Sequence, residues 1–291
     1  KAMKQILDEG EEVVDRTGVG TLSVFDMNLS FEITVSNPEA PPNEHQYTLP
    51  IFTTKSLFFR GIVGELLWFL RGETDTKILS EQKIRIWDGN TSREALDKRG
   101  LSYEEGELGP GYGYQWIHWG ATWPDRSSDA GINQIKQIIH TLQTEPRSRR
   151  MVLNAWNVDE LDKMALPPCH MMYIFKVTNT NVLNCKVILR SNDMFLGNPF
   201  NVVSASVLTI LIARTVGMIP GRIALSITDA HIYMNHIEQV KEQLTREPRE
   251  PPTLTIDVPI NSYEDITNLN FNNFTLSKYS SWPRIDAPMA V

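Results

Sequence analysis

The chain is 291 residues long, 41% hydrophobic and 22% charged, with a formal net charge of −7 at pH 7. These values fit a soluble globule with a sizeable core and, with no linker in view, a single domain over residues 1–291. They argue against a general nucleic-acid binder, which needs a basic surface, though not against a local site for one phosphate.

In chain order, Ala2–Val14 reads as a surface helix ended by a turn at Thr17–Gly20, and Thr21–Val35 alternates as strands do. Ser36–Leu49 holds three prolines and reads as loop. Gly61–Leu70 places Ile62, Leu66 and Leu67 on one helical face, with Glu65 near its edge. Asp88–Gly113 is polar, Gly-bearing and expected to be irregular. Ile132, Ile135, Ile139 and Leu142 recur at helical spacing, as do Tyr233, Ile237, Val240 and Leu244. Met151–Trp156, Met171–Val177, Asn184–Leu189 and Arg222–Ile227 are strand-like. Val202–Val216 is the longest apolar stretch, interrupted by Ser204, Ser206, Thr209 and Arg214, and reads as a buried central helix rather than a membrane span. Helices and strands mix without strict alternation, which favours an α+β fold.

Two cysteines are too few for a disulfide framework, and no CxxC or Cys/His spacing suits zinc, so no metal is expected. A reducing compartment is the simplest inference, and with no signal peptide visible a cytoplasmic location is expected. The sharpest chemical signal is Ala165-Leu166-Pro167-Pro168-Cys169-His170, which places Cys169 between strands at a sheet edge. Two prolines hold the backbone before the sulfur extended and rigid, and a pre-set thiol followed by an imidazole suits nucleophilic catalysis. A lone cysteine is more often a packing residue, and Cys185, in an alternating strand, reads that way. Arg190-Ser191-Asn192-Asp193 shifts the balance for Cys169, because a cation near a thiol favours the thiolate.

Further segments recur in order: Asp15-Arg16-Thr17-Gly18-Val19-Gly20-Thr21, Thr53-Thr54-Lys55, Glu65-Leu66-Leu67-Trp68-Phe69, Ile86-Trp87-Asp88-Gly89-Asn90, Arg149-Arg150, Pro199-Phe200-Asn201, Asp229-Ala230-His231-Ile232-Tyr233 and the terminal Met289-Ala290-Val291. With the cysteine segment they resemble the folate-dependent thymidylate synthases of the eukaryotic and viral type, nearly end to end. Each motif is weak alone; all of them in order is specific for the family.

The resemblance implies a large mixed β-sheet flanked by helices, and reductive methylation of dUMP to dTMP with 5,10-methylenetetrahydrofolate as co-substrate. It makes Cys169 the nucleophile at C6, Glu65 the acid/base and Tyr112 the proton-abstraction tyrosine acting through ordered water. Arg16, Arg149, Arg150, Arg190 and Ser191 match a phosphate clamp, with Arg149 and Arg150 supplied by the partner of a homodimer. Asn201 would read the pyrimidine edge, since an amide offers both a donor and an acceptor; an N-cap role for the following helix is the competing reading. His231 and Tyr233 match ribose ligands. Asp193, Lys55, Ile86, Trp87, Asn90, Leu196, Gly197 and Phe200 match folate contacts, and Val291 matches a closing lid. A carboxyl on the otherwise apolar helix around Glu65 is expected to have a raised pKa. Nucleotide and folate are the expected small-molecule partners, with no membrane and no nucleic acid.

The chain departs from the family pattern at Ile117, Asn133, Ile174, Ile188, Leu189, Ala205 and Thr228. These departures leave alternatives open: a pyrimidine nucleotide hydroxymethylase, an enzyme for another uracil nucleotide, or a catalytically silent nucleotide- or RNA-binding homologue.

Overall fold

A computed structural model describes residues 1–14 and 17–289, so Arg16 and Val291 lie outside the described residues. Among these the strands are β1 (Glu11–Val13), β2 (Thr21–Glu32), β3 (Thr34–Val35), β4 (Tyr47–Thr48), β5 (Val152–Asn154), β6 (His170–Val177), β7 (Val182–Asp193), β8 (Ile219–Tyr233), β9 (Thr253–Ile256) and β10 (Phe274–Ser277). The helices are α1 (Ala2–Glu9), α2 (Phe59–Leu70), α3 (Lys77–Glu81), α4 (Arg93–Lys98), α5 (Gly113–Ile117), α6 (Gln134–Thr144), α7 (Gly197–Thr215), α8 (Ile237–Leu244) and α9 (Tyr263–Asn268). One sheet runs β1-β2-β8-β7-β6-β5 and a second runs β10-β9-β4-β3. In the larger sheet β7 and β8 are parallel and the other neighbours antiparallel. This is the expected α+β architecture with a mixed sheet.

Parallel neighbours need a crossover, and α7 supplies it. Every residue from Val202 to Thr215 is buried, as suits a helix that is apolar all round. The hydroxyls of Ser206, Thr209 and Thr215 donate to carbonyls four residues back, so none is stranded in the core. Buried Arg214 donates to the Ile256 and Val258 carbonyls and to Asn43 Oδ1, tying α7 to the smaller sheet. The register of β7 against β8 sets Ser191 beside Asp229 and Asp193 beside His231, which gathers polar groups at one end of the sheet.

Several elements differ from the sequence reading. The first helix stops at Glu9, and Glu11–Val13 pairs with β2 instead. Ser36–Leu49 is not all loop, since Tyr47–Thr48 joins β3 to β9. Asp88–Gly113 contains α4, started by Ser92 Oγ accepting from the Ala95 N–H. Tyr233 ends β8 rather than joining α8. Helix α7 begins at Gly197, so Asn201 lies inside it and is not its N-cap. Cys169 precedes β6, an inner strand rather than an edge one.

The departures from the family pattern also find their places. Leu189 and Ala205 are both fully buried. Neither side chain brings a polar atom of its own into the core. Asn133 caps α6, its Oδ1 accepting from the Lys136 N–H. Ile174, Ile188 and Thr228 lie on the sheet face opposite the core, with Met172, Lys176, Lys186 and Ser226, all half-buried or exposed.

Close packing of α2 on α5 gives a stability prediction. A Cβ on Gly113 would lie 2.5 Å from the Phe69 carbonyl oxygen and 2.6 Å from its Cα. These are backbone atoms that cannot swing away. Gly113→Ala is expected to destabilise the fold by about 1–3 kcal/mol, the usual range for overpacking. A lowered thermal midpoint checks this; an unchanged one would mean α2 and α5 can separate freely.

Candidate active site

A cavity of about 1200 Å³ lies at the end of the larger sheet where β6 begins and β7 and β8 finish. Cys169 lines it, held from three sides. Its N–H donates to Tyr112 Oη at 2.9 Å. Its carbonyl accepts from the Arg190 N–H at 3.0 Å, joining the start of β6 to β7. The Arg190 side chain closes the third side. Nε donates to the Pro168 carbonyl at 2.9 Å, and Nη2 donates to the Pro167 carbonyl at 3.0 Å and reaches Cys169 Sγ at 3.6 Å. Pro167 and Pro168 have no N–H of their own, and their carbonyls fasten the cation against the sulfur. The guanidinium, not the following imidazole, is therefore the thiol's charge partner. His170 is turned into an aromatic nest with Phe69, Tyr112, Trp116 and Tyr173, and its Nδ1 is bonded to Tyr173 Oη. Burial pushes its pKa down to about 4, so it is neutral.

Tyr112 is buried and has φ 39, in the left-handed region that non-glycine residues avoid. Such strain costs about 1–3 kcal/mol and persists only where packing over-determines it. Here the ring stacks on Phe69 with centroids 5.0 Å apart and planes 13° apart. Burial and the neighbouring Cys169 hold the phenol well above its ordinary pKa, so it stays protonated.

Glu65, on α2, lines the same cavity, and Trp87 Nε1 donates to its Oε1 at 2.8 Å. Burial raises its pKa to about 7, only partly opposed by the tryptophan bond. This agrees with the expectation from its apolar helix.

At the sheet end, Ser191 Oγ lies 3.4 Å from both Asp229 Oδ2 and His231 Nδ1, and Ser23 Oγ donates to Asp229 Oδ1 at 2.6 Å. Burial works against the Asp229 charge, but hydrogen bonds from His231, Ser23 and Ser191 outweigh it and hold its pKa below the usual value. Tyr233 packs edge-on against His231 and lines the cavity. Asn201 also lines it, its Nδ2 donating to Asn192 Oδ1 at 3.0 Å.

The positions matched to folate gather on the same cavity: Lys55, Ile86, Trp87, Asn90, Asp193, Leu196, Gly197 and Phe200 all border it. Two of them are committed locally. Asp193 Oδ1 accepts from the Phe195 and Leu196 N–H groups at the entry to α7. Lys55 is buried, donates to the Phe195 carbonyl at 2.6 Å and sits 3.4 Å above that ring. Burial lowers its pKa to about 8, against the pull of Asp193. The C-terminal segment reaches the cavity through Ala287 and Met289, anchored by His236 Nε2 at 2.7 Å from the Pro288 carbonyl.

Two expected residues are not brought in. Arg149 and Arg150 are exposed, just before β5, and do not border the cavity. Arg147 donates to the Val177 carbonyl, a structural bond. Asn192, given no role within Arg190-Ser191-Asn192-Asp193, is buried in β7 and borders the cavity; its place between matched residues was the available signal.

A family model for thymidylate synthase matches residues 1–291. The chain is 45% identical to a thymidylate synthase of Saccharomyces cerevisiae over 300 residues, covering 99% of this chain and 94% of that one. It is 45% identical to one of Herpesvirus ateles, covering 99% and 96%. It is 43% identical to that of Homo sapiens, covering 99% and 88%.

The Glu65 environment predicts a pH dependence. Below about 4.5 the carboxyl is protonated both folded and unfolded. Between there and about 7 the unfolded chain releases the proton while the fold keeps it, so stability falls as pH rises and levels off above 7. Glu65→Gln lacks this loss, so its thermal midpoint should gain on the wild type from pH 5 to 7. In infrared difference spectra a protonated-carboxyl band should fade around pH 7 and be missing from the variant. A Glu65 band already gone at pH 5 would refute the raised pKa.

Proposed function

The chain belongs to the thymidylate synthase family, and from that premise we propose how its residues carry out the reaction. That reaction is reductive methylation of dUMP to dTMP, with 5,10-methylenetetrahydrofolate as co-substrate and dihydrofolate as second product. The folate supplies the one-carbon unit and the hydride when bound. Its matched positions line one cavity, with Val291 assigned to closing over them. The single observation that carries the assignment is the Cys169 sulfur clasped by Arg190 in a cavity that also holds Glu65 and Tyr112.

In this reading the Cys169 thiolate adds to C6 of the uracil ring. The addition makes C5 nucleophilic, and the cysteine leaves again when the methyl group is complete. Arg190 steadies the thiolate through Nη2. Its Nη1 makes none of the bonds to Pro167, Pro168 or Cys169 and is assigned to the phosphate, with Ser191, Arg16 and the partner subunit's Arg149 and Arg150. Glu65, titrating near neutrality, gives and takes the proton at the O4 side. Tyr112, held protonated, serves proton removal as a relay through water rather than as a standing phenolate. Asn201 donates to O4 and accepts from N3–H. His231 and Tyr233 hold the ribose hydroxyl.

The whole chain acts as one domain, and two copies pair through the sheet face that carries Met172, Ile174 and Ile188. The half-buried Met172, Ile174 and Ile188 on that face support this, as does the position of Arg149 and Arg150 away from their own cavity. The proposed compartment is the cytoplasm; no described helix is long and apolar enough to cross a membrane.

Cys169→Ala should lower turnover by at least about 10⁴-fold, the scale of losing a catalytic nucleophile, while dUMP still binds. Mass spectrometry after incubation with 5-fluoro-dUMP and methylenetetrahydrofolate should show a covalent adduct on the wild type alone. An adduct on the variant would assign the nucleophile elsewhere. For the shared site, mixing inactive Cys169→Ala with inactive Arg149→Ala protein should restore activity, because a hybrid dimer has one intact cavity. No rescue after demonstrated subunit exchange would exclude a shared phosphate site.

A further inference from the structure

Asn201 sits on α7, and a side-chain amide there can present either end to a ligand. Uracil needs a donor at O4 and an acceptor at N3–H, while cytosine reverses both demands. Whatever fixes the amide's orientation therefore bears on which base is read. The polar contact on Asn201 comes from β7: its Nδ2 donates to Asn192 Oδ1 at 3.0 Å. Asn192 is only 3% exposed, and its own Nδ2 is shut off from solvent without a protein partner, although the residue borders the cavity. Gly197 leaves room for this arrangement, since even a Cβ built there would stand 3.5 Å from Asn192 Oδ1. Three residues earlier on β7, Leu189 is wholly buried and apolar and offers Asn201 no alternative.

We propose that Asn192 is a positioning residue that sets the amide orientation of Asn201 and thereby favours uracil over cytosine nucleotides. The inference rests on Asn201 being the base reader. The two amides turn only together, because turning Asn201 alone would bring its Oδ1 against Asn192 Oδ1. With Asn192 Oδ1 taking one Nδ2 hydrogen of Asn201, the second Nδ2 hydrogen is left for O4 and the Asn201 Oδ1 for N3–H. The orientation held by Asn192 is therefore the one in which Asn201 reads uracil.

The test is the ratio of dissociation constants for dCMP and dUMP, measured by calorimetry on the full-length protein. Asn192→Ala frees Asn201 to turn, and the preference for dUMP should fall about three- to tenfold, the scale of one hydrogen bond. Asn192→Asp keeps an acceptor for Asn201 Nδ2 and cannot support the turned pair, so its ratio should lie above that of Asn192→Ala. If Asn192→Ala does not fold, Asn192→Ser replaces it, since its shorter side chain falls short of Asn201. Equal weakening of both nucleotides, an unchanged ratio, or an Asp variant no more selective than the alanine one overturns the proposal. Asn201→Asp separates the two levels. If it leaves the ratio unchanged, Asn201 does not read the base and the assignment beneath the inference has failed. If it shifts the ratio while Asn192→Ala does not, only the role of Asn192 is lost.

Discussion

The clasp of Arg190 on Pro167, Pro168 and Cys169 is the contact on which the rest of the site depends. One side chain on β7 holds the two carbonyls that precede β6 and reaches the sulfur as well. The position of the thiol is thus fixed relative to the strand that also carries Ser191, Asn192 and Asp193. A charged group with its hydrogen bonds directed at backbone carbonyls pays little for its partial burial. It also ties a loop with few donors of its own to the most central part of the sheet.

The parallel pairing of β7 and β8 extends that order outward. Helix α7 must cross from one strand to the next, and it does so through the core with every residue from Val202 on buried. Its entry is pinned by Asp193, its first turn tolerates Pro199, and its open end presents Phe200 and Asn201 to the cavity. The same crossover brings β8 back in register, so that Asp229 and His231 meet Ser191. A buried helix and one strand register account for the part of the cavity wall around Ser191, Asn201, Asp229 and His231.

Much of this was legible in the sequence, and the limits are physical. The strong apolar run at Val202–Val216 and the alternation of β6, β7 and β8 identified the core elements. Boundaries failed where short-range signals compete: Glu11–Val13 continues a helical composition yet pairs with β2, because a sheet edge was available to it. The Pro-Pro-Cys-His motif led to the thiol that lines the cavity but misdirected attention to the imidazole. Periodicity cannot show that His170 turns inward among four aromatic rings. Asn201 as a helix cap was reasonable locally, and it failed because Asp193 captures the preceding N–H groups and the helix starts five residues earlier. Arg149 and Arg150 look like a solvated charge pair both in the sequence and in one copy of the chain, so a role for them needs a second copy.

Burial sorts the proton chemistry of the cavity. It pushes His170 down to about 4 and Tyr112 well above its ordinary value, so each keeps a single protonation state at neutral pH. The same force moves Glu65 up to about 7, where both of its states are populated. The difference comes from the ordinary value of each group: desolvation favours the neutral form in all three, and of these only the carboxyl is carried toward neutrality by it. Trp87 tempers the shift by donating to Oε1, which prevents the carboxyl from becoming permanently neutral. An apolar helix face, one indole N–H and a tightly packed tyrosine thus leave a single one of these three side chains with both protonation states populated beside the Cys169 thiol.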